Sequence, residues 1–228
     1  VSQTYNGITS EYLTKKINED PLAVVINAGT PGIVFNRKLR EQLGSQFVDV
    51  GIAEEQAVTM TTGLAKNGAK PVWAVLSTFL QRTYDQLSHD MALNNQAGVV
   101  LVYSASINSM NDESHLGFFD IPLISHIPNF VYLAPTNKEE HLAMLEWAIN
   151  QNAHPVAIRV PVGSVVETGK EDKTDYSILN KNKVEKFGEQ VVIFGVGNFY
   201  NLAEEVSEKL KSEHNIDVTL INPRFLTG

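Results

Sequence analysis

Short runs of apolar residues, each bounded by polar or turn-forming positions, recur along the first two thirds of the chain. They occupy positions 22–28, 46–50, 71–76, 98–103, 130–134 and 156–160. These runs lack the regular alternation of polar and apolar residues that marks a strand with one face in water. They therefore predict strands that are covered on both faces, as in parallel sheets.

Amphipathic segments separate the apolar runs and predict helices. One helix is expected over about 54–66 and a second over about 81–94. A third is expected after Thr136 and Asn137, because either side chain can cap a helix and an acidic pair follows in the first turn. This alternation is typical of a doubly wound α/β domain, with a mainly parallel sheet and helices on both faces.

The chain changes character after this alternation. Residues 164–186 are charged and rich in turn-forming types, and we interpret them as a linker that follows a first domain over 1–163. A strand over 190–195, a helix over 200–212 and a strand over 217–221 come next. Two strands and one helix cannot bury a core of their own. We therefore expect 187–228 to be the incomplete start of a second α/β domain.

Composition narrows the classes of partner. The formal net charge of −8 argues against nucleic acid or an anionic membrane as the partner, although local basic residues could still bind a phosphorylated substrate. The absence of cysteine excludes disulfides and thiolate chemistry and favours a cytoplasmic setting. No apolar run approaches the ~20 residues of a membrane-spanning helix.

The strongest local signal for chemistry is the run 48–57. A buried strand ends there, a glycine turns the chain, and Glu54 opens the next helix. In open α/β sheets, ligands bind beyond the carboxyl ends of the strands, which is where this carboxylate is expected. A simpler alternative is that Glu54 only favours the positive end of the helix dipole, a contribution of ~0.3–1 kcal/mol.

Two further segments follow neighbouring strands and bring more functional side chains to the same edge. Phe79 and Arg82 follow the third strand, and His115 follows the fourth. Each has a simpler structural alternative when taken alone. Phe79 could be an ordinary core residue, Arg82 could pair with Asp85 on a helix surface, and a loop histidine is more often structural.

Four runs carry a resemblance to a known family: 49–54, 77–86, 114–120 and 157–163. In the same order and at similar spacing, they resemble the deoxyxylulose-5-phosphate synthases and, more broadly, the transketolase superfamily. The run 221–226 resembles the start of that family's C-terminal domain. The resemblance implies the thiamine-diphosphate-binding fold, with thiamine diphosphate as cofactor.

The resemblance also implies roles for particular residues. Glu54 is the catalytic carboxylate, which would hydrogen-bond the aminopyrimidine ring and so help to remove the thiazolium C2 proton. Phe79 corresponds to an aromatic residue that stacks on that ring, and Ile52 and Arg82 lie on the cofactor side. His115 corresponds to a histidine that handles protons or binds substrate.

The expected acceptor site departs from the family pattern. Arg159 matches one of two arginines that hold the phosphate of glyceraldehyde 3-phosphate, but Ser104 stands where the other is expected. Leu76 replaces a tyrosine, and Asn111 replaces an aspartate four residues before His115. Serine cannot supply the paired, charge-assisted hydrogen bonds of an arginine. We therefore expect an intact cofactor side and a different or smaller acceptor.

The implied reaction is decarboxylation of pyruvate, or use of another 2-oxo acid or a ketose, with transfer of a two-carbon unit to an aldehyde. No motif in the chain assigns a metal ligand, so Mg²⁺ and the diphosphate are expected to bind a pyrophosphate-binding domain or subunit that this chain lacks. A homodimer is implied, and the chain by itself is expected to be inactive. The alternatives are another transketolase-like enzyme, a subunit of a split transketolase or of an E1-β type, and a degenerate relative without activity.

Overall fold

The computed structural model describes residues 3–109 and 112–228, which form strands in two separate sheets. The strands are β1 (Ala23–Asn27), β2 (Phe47–Asp49), β3 (Lys70–Leu76), β4 (Val99–Tyr103), β5 (Val131–Leu133), β6 (Val156–Arg159), β7 (Lys183–Lys186), β8 (Val191–Phe194), β9 (Val218–Asn222) and β10 (Phe225–Thr227). The α-helices are α1 (Tyr5–Glu19), α2 (Arg37–Leu43), α3 (Glu54–Lys66), α4 (Asp120–Ser125), α5 (Lys138–Asn150) and α6 (Tyr200–His214). Shorter 3₁₀ helices cover Gly44–Gln46, Ser77–Thr83 and Gly197–Phe199, and a π-helix covers Gln86–Ala92.

The larger sheet has seven strands in the order β10-β5-β6-β4-β3-β1-β2. Its first six strands in sequence pair in parallel, and β10 alone runs antiparallel, beside β5. The predicted α/β fold with a mainly parallel sheet is therefore confirmed. Because all the parallel strands run the same way, their carboxyl ends meet at one edge of the sheet.

Both faces of the larger sheet are buried along β1, β3, β4, β5 and β6, as the continuous apolar runs predicted. The prediction of a buried strand over 46–50 is wrong, because β2 lies at the edge of the sheet, where Phe47 and Val48 are only partly buried and Asp49 is exposed. On β4, Leu101 and Tyr103 join one core cluster, whereas Val100 and Val102 join the other. We call the side of Tyr103 the first face, which α1 and α5 cover, and the opposite side the second face, which α3, α4 and the π-helix cover. Each fully buried side chain of this size contributes ~1.5–3 kcal/mol, so these strands dominate the core.

The helices differ from the sequence prediction in four places. Helix α3 is confirmed, and α5 follows the predicted cap, since the Asn137 side chain accepts the amide of Glu140 at 2.9 Å. The helix predicted over 81–94 is instead a 3₁₀ helix followed by a π-helix. The pattern did not predict α1, α2 or α4.

The second sheet has the order β7-β9-β8, in which β9 runs antiparallel to β7 and parallel to β8. Strand β7 lies inside the segment 164–186 that we interpreted as a linker, so its last four residues are ordered in a sheet. After β9, the chain leaves the second sheet, and β10 pairs with β5 in the larger sheet. The segment 187–228 is therefore divided between two sheets, which the sequence did not predict.

A buried carboxylate holds the connection between β9 and β10 against α5. One oxygen of Glu140 accepts from the Asn222 side chain at 2.8 Å and from Arg224 Nε at 3.2 Å. The other oxygen accepts from the amide of Thr136 at 2.9 Å. These contacts satisfy an otherwise costly buried charge and fix the second sheet to the first.

Candidate functional site

The predicted catalytic carboxylate lies at the carboxyl edge of the larger sheet. Strand β2 ends at Asp49, and Gly51 turns the chain with a φ of +74°, a conformation that favours glycine. The amide of Ala53 donates to the carbonyl of Gly51 at 2.8 Å, and Glu54 then begins α3. The Glu54 side chain is only 2% exposed. A carboxylate so far removed from water needs a partner.

That partner is Arg82, which comes from the 3₁₀ helix after β3. Its Nη1 donates to both carboxylate oxygens of Glu54, at 2.9 and 3.0 Å. The alternative pairing of Arg82 with Asp85 does not occur, because Asp85 instead contacts His89 Nδ1 at 2.7 Å. The guanidinium is 43% exposed, so one side of the pair opens toward solvent.

The two predicted ring residues complete the group. Arg82 Cζ lies 5.1 Å from the centre of the Phe79 ring, within the range of a cation–π contact. The His115 ring meets the edge of Phe79 with centroids 5.5 Å apart and planes at 78°. Glu54, Arg82, Phe79 and His115 therefore form a continuous series of contacts, as expected for side chains that follow the carboxyl ends of strands in one parallel sheet.

Acidic and hydroxyl groups in its own loop hold His115. Its Nδ1 lies 2.9 Å from Ser114 Oγ and 3.4 Å from Asp112 Oδ1. Backbone amides of Ser114 and His115 donate to Asp112, and these hydrogen bonds lower the pKa of the Asp112 carboxyl. The anionic form of Asp112 therefore orients the histidine ring toward Phe79.

A cleft of about 180 Å³ lies beside this group, between the 3₁₀ helix after β3 and the His115 loop. Its lining includes Ser77, Gln81, Ser114, Leu116 and Phe119. Ser77 Oγ is buried and has no hydrogen-bond partner among the described residues. A buried hydroxyl of this kind could serve a ligand in the cleft.

Arg159, the predicted phosphate ligand, lies elsewhere. Its Nε donates to Asp120 at 2.8 Å, and the hydroxyl of Tyr132 donates to the same carboxylate. Burial disfavours the charge on Arg159, but the hydrogen bond and charge of Asp120 outweigh this and raise its pKa. Arg159 is thus held as a cation in a buried pair, a geometry that argues against a role in binding substrate.

Ile52 lies at the rim of the site and is 80% exposed. It approaches Gly29, where an added Cβ would come within 2.8 Å of the Ile52 side chain. Gly29 also has a φ of +72°, so the close approach of these two loops requires glycine there. A cofactor contact of Ile52 remains a prediction.

The positions that depart from the family pattern lie at the ends of β3 and β4. Leu76 pairs with Tyr103 across the sheet, and Ser104 follows with a φ of +56°. A Cβ added to Gly117 would lie 2.2 Å from the Ser104 carbonyl oxygen, so the His115 loop rests directly on this turn. Asn111 lies outside the described residues.

The sequence pattern did not single out three of the polar residues described above. Ser77 and Asp120 both lie in the quoted runs, but nothing in a linear pattern shows that their side chains are buried. Asp112 precedes the His115 run, and its role depends on the fold of the loop.

Among the described residues, no group of three or more His, Asp or Glu side chains is arranged to hold a metal ion. No helix within 3–109 or 112–228 has both the length and the apolar character needed to cross a membrane.

Comparison with known proteins identifies the family. The family described as "Transketolase, pyrimidine binding domain" matches residues 2–166. A 1-deoxy-D-xylulose-5-phosphate synthase of Clostridium perfringens is 36% identical over 225 residues, which is 99% of this chain and 36% of that protein. A synthase of the same name from Dictyoglomus thermophilum is 38% identical over 223 residues, 98% of this chain and 36% of that protein. The chain thus spans about a third of the length of these relatives.

Solved structures show the same fold. A transketolase mutant from Pichia stipitis matches with a TM-score of 0.84 and 16% identity, over 99% of this chain and 35% of that one. An inactive β4 tetramer of a split-gene transketolase matches with a TM-score of 0.78 and 20% identity, over 97% of this chain and 71% of that one. Through its pyrimidine-binding domain, the chain belongs to the transketolase family.

Proposed function

We propose that this chain supplies the aminopyrimidine-binding side of a thiamine-diphosphate-dependent transferase of the deoxyxylulose-5-phosphate synthase type. The observation that supports this most is the buried Glu54 carboxylate at the sheet edge. It contacts Arg82, and Arg82 in turn contacts the Phe79 ring. The 36–38% identity to synthases over nearly the whole chain agrees with it.

The residues present fit the aminopyrimidine half of the cofactor. A nitrogen heterocycle needs a hydrogen-bonding group at its edge and a flat apolar surface against its face. Glu54 offers a carboxylate shielded from water, and the half-buried Phe79 offers a ring at the same edge. Ser77, whose buried hydroxyl has no hydrogen-bond partner among the described residues, lines the adjoining cleft.

When bound, thiamine diphosphate supplies the carbanion chemistry, and the protein supplies binding, orientation and proton control. Glu54 hydrogen-bonds the edge of the aminopyrimidine ring, and Arg82 fixes the carboxylate in place. Phe79 positions the ring and excludes water. His115, oriented by Asp112 and Ser114, stands on the substrate side, where it can hold or move a proton.

The remaining parts of the site lie outside this chain under the proposal. A pyrophosphate-binding domain or subunit holds the diphosphate with Mg²⁺, and two copies assemble as a homodimer. The substrates are a small 2-oxo acid such as pyruvate and an aldehyde acceptor. The acceptor site differs from that of the synthases, because Leu76 and Ser104 replace phosphate-binding residues and Arg159 is held by Asp120.

The proposal is tested by cofactor binding to the complete protein, measured by calorimetry with Mg²⁺ present. Glu54→Gln keeps the size of the side chain but removes the charge, and we expect it to weaken binding of thiamine diphosphate by about tenfold or more, a loss of ~1.4 kcal/mol or more. Glu55→Gln, at the exposed neighbouring position, is the matched control and should bind as the unaltered protein does. Equal affinity of the two variants, or no binding by the unaltered protein, would contradict the proposal.

A further inference from the structure

We propose that Tyr132 is a positioning residue for His115, which it holds in place through the Asp120 carboxylate. This inference rests on the proposed function, because it names a further residue that serves the substrate side of the same site. Tyr132 lies on β5, whereas His115 lies in the loop that follows β4. Because Tyr132 is fully buried, it acts on His115 through other residues of the protein.

Tyr132 and Arg159 hold the same buried carboxylate. The Tyr132 hydroxyl donates to Asp120 Oδ2 at 2.5 Å, and Arg159 Nε donates to the same oxygen at 2.8 Å. Arg159 Nη2 lies 3.4 Å from the other oxygen, Oδ1. Asp120 itself is 1% exposed. These three contacts fix the carboxylate between β5 and β6.

Stability alone does not account for this polar network. Tyr132 belongs to the core cluster of the second face, whose other members, such as Ile124 and Phe130, are apolar. Charges buried in such surroundings lose their hydration, and apolar side chains of similar volume often give equal or greater stability. What the polar groups provide instead is a fixed position for Asp120.

The position of Asp120 determines one wall of the cleft beside the candidate site. Asp120 begins α4, and Leu116, Phe119 and Leu123, on either side of it in sequence, all line the cleft. Helix α4 has six residues, and its N-cap, Phe119, has no polar side chain to cap it. So short a helix is not stable by itself. The contacts of Asp120 with β5 and β6 therefore anchor its start.

His115 precedes this anchor by five residues in the same loop. Between them, Gly117 rests on the turn at Ser104, where an added Cβ would lie 2.2 Å from the Ser104 carbonyl oxygen. That contact stops the loop from moving inward, and the hydrogen bonds of Asp120 stop it from lifting away. With both movements blocked, the His115 ring keeps its edge contact with Phe79, at a centroid distance of 5.5 Å.

The size of the expected effect follows from how strongly a rate depends on the place of a catalytic group. A displacement of ~1 Å can reduce a rate by ~100-fold. Loss of the Tyr132 hydroxyl leaves Asp120 with its contacts to Arg159, so the loop is loosened and not released. We therefore expect a loss of about tenfold, short of the effect of a full displacement.

The first measurement follows the His115 ring by NMR in the complete protein with isotope-labelled histidine. The signal of His115, one of six histidines in this chain, is assigned by its absence from His115→Gln. We expect Tyr132→Phe, which removes only the hydroxyl, to shift or broaden this signal. Tyr176→Phe is the matched control, because Tyr176 is also buried and donates to an aspartate, Asp172, at 2.5 Å. It should leave the His115 signal unchanged.

The second measurement is release of CO₂ from pyruvate, with thiamine diphosphate and Mg²⁺ present. We expect Tyr132→Phe to lower kcat/KM about tenfold, and Tyr176→Phe to leave it within about twofold. In a protein that already carries His115→Gln, Tyr132→Phe should cause little further loss, because its effect passes through that ring. Exchange of the cofactor's C2 proton with deuterium, which depends on Glu54, should stay within about twofold in Tyr132→Phe. This shows that the fold and the cofactor side are intact.

An unchanged His115 signal in Tyr132→Phe would overturn the inference, as would an equal change in Tyr176→Phe. Losses in kcat/KM that multiply in the double variant would also overturn it, and so would equal losses of C2 exchange and of kcat/KM, which indicate general damage. A changed His115 signal, in a protein that releases no CO₂ from pyruvate even when unaltered, supports the positioning role and counts against the proposed function alone.

Discussion

Arg82 donates from one nitrogen to both carboxylate oxygens of Glu54, although the two residues are 28 positions apart. Glu54 is almost fully buried and Arg82 is partly exposed, so the guanidinium both neutralises the carboxylate and covers it from solvent. The same guanidinium rests on Phe79. The Arg82 guanidinium therefore holds the Glu54 carboxylate in place and links it to the Phe79 ring.

Removing that cation should destabilise the protein. Arg82→Met leaves the Glu54 carboxylate buried without its charged donor, and we expect a loss of about 1.5–3 kcal/mol in the free energy of unfolding. Urea denaturation measures this loss. Arg37→Met breaks the exposed pair with Glu41 and should cost much less. Equal losses in the two variants would show that the buried Glu54–Arg82 pair stabilises the protein no more than the exposed Arg37–Glu41 pair does.

A buried histidine should make stability depend on pH. His141 is fully buried between α5 and α1, where its Nε2 contacts Thr9 Oγ1 at 2.7 Å, and burial lowers its pKa to about 3. Below pH 6.5, His141 becomes protonated in the unfolded chain, whereas in the folded chain it stays neutral down to about pH 3. Stability from this residue is therefore complete above pH 6.5 and falls on acidification, by ~2 kcal/mol at pH 5.

Denaturation of the protein and of two variants at pH 7 and pH 5 checks this dependence. His141→Gln should reduce the loss of stability on acidification by about that amount, whatever its effect at pH 7. His89→Gln, on the exposed surface, should retain the full loss. An unchanged pH dependence in His141→Gln would rule out His141 as its source.

Arg159 offers a test between a structural and a substrate role. Because it forms a buried pair with Asp120, Arg159→Met should cost about 3–5 kcal/mol of stability. Asp120→Asn in the same chain removes the stranded carboxylate and should recover part of the loss, so a double-mutant cycle measures the coupling. If Arg159→Met kept its stability and lost only affinity for a phosphorylated acceptor, Arg159 would be a substrate ligand after all.

Much of the larger sheet could be predicted from sequence because its strands are buried on both faces and stand out as continuous apolar runs. Helix α1 was missed because Thr9 interrupts the apolar residues of its buried side and so weakens the pattern. The π-helix Gln86–Ala92 was predicted as an α-helix, since both present similar spacing over seven residues. Strand β10 has three residues, and only its contact with β5 defines it.

The convergence of Glu54, Phe79 and His115 could be predicted because the carboxyl ends of parallel strands share one edge. The partner of Arg82 could not, since local spacing favours Asp85 and the true partner is brought near only by folding. The orientation of Arg159 was equally hidden. In a strand buried on both faces, the sequence does not show which face a given residue occupies.

Under the proposed function, Glu54 promotes loss of the C2 proton of thiamine diphosphate. The most direct measurement is the rate at which deuterium from solvent replaces that proton in the cofactor bound to the complete protein, followed by NMR after rapid quenching. We predict that Glu54→Gln slows this exchange by at least 100-fold, at cofactor concentrations that saturate both proteins, and that Glu55→Gln does not. Exchange by Glu54→Gln at the rate of the unaltered protein would contradict this role of Glu54.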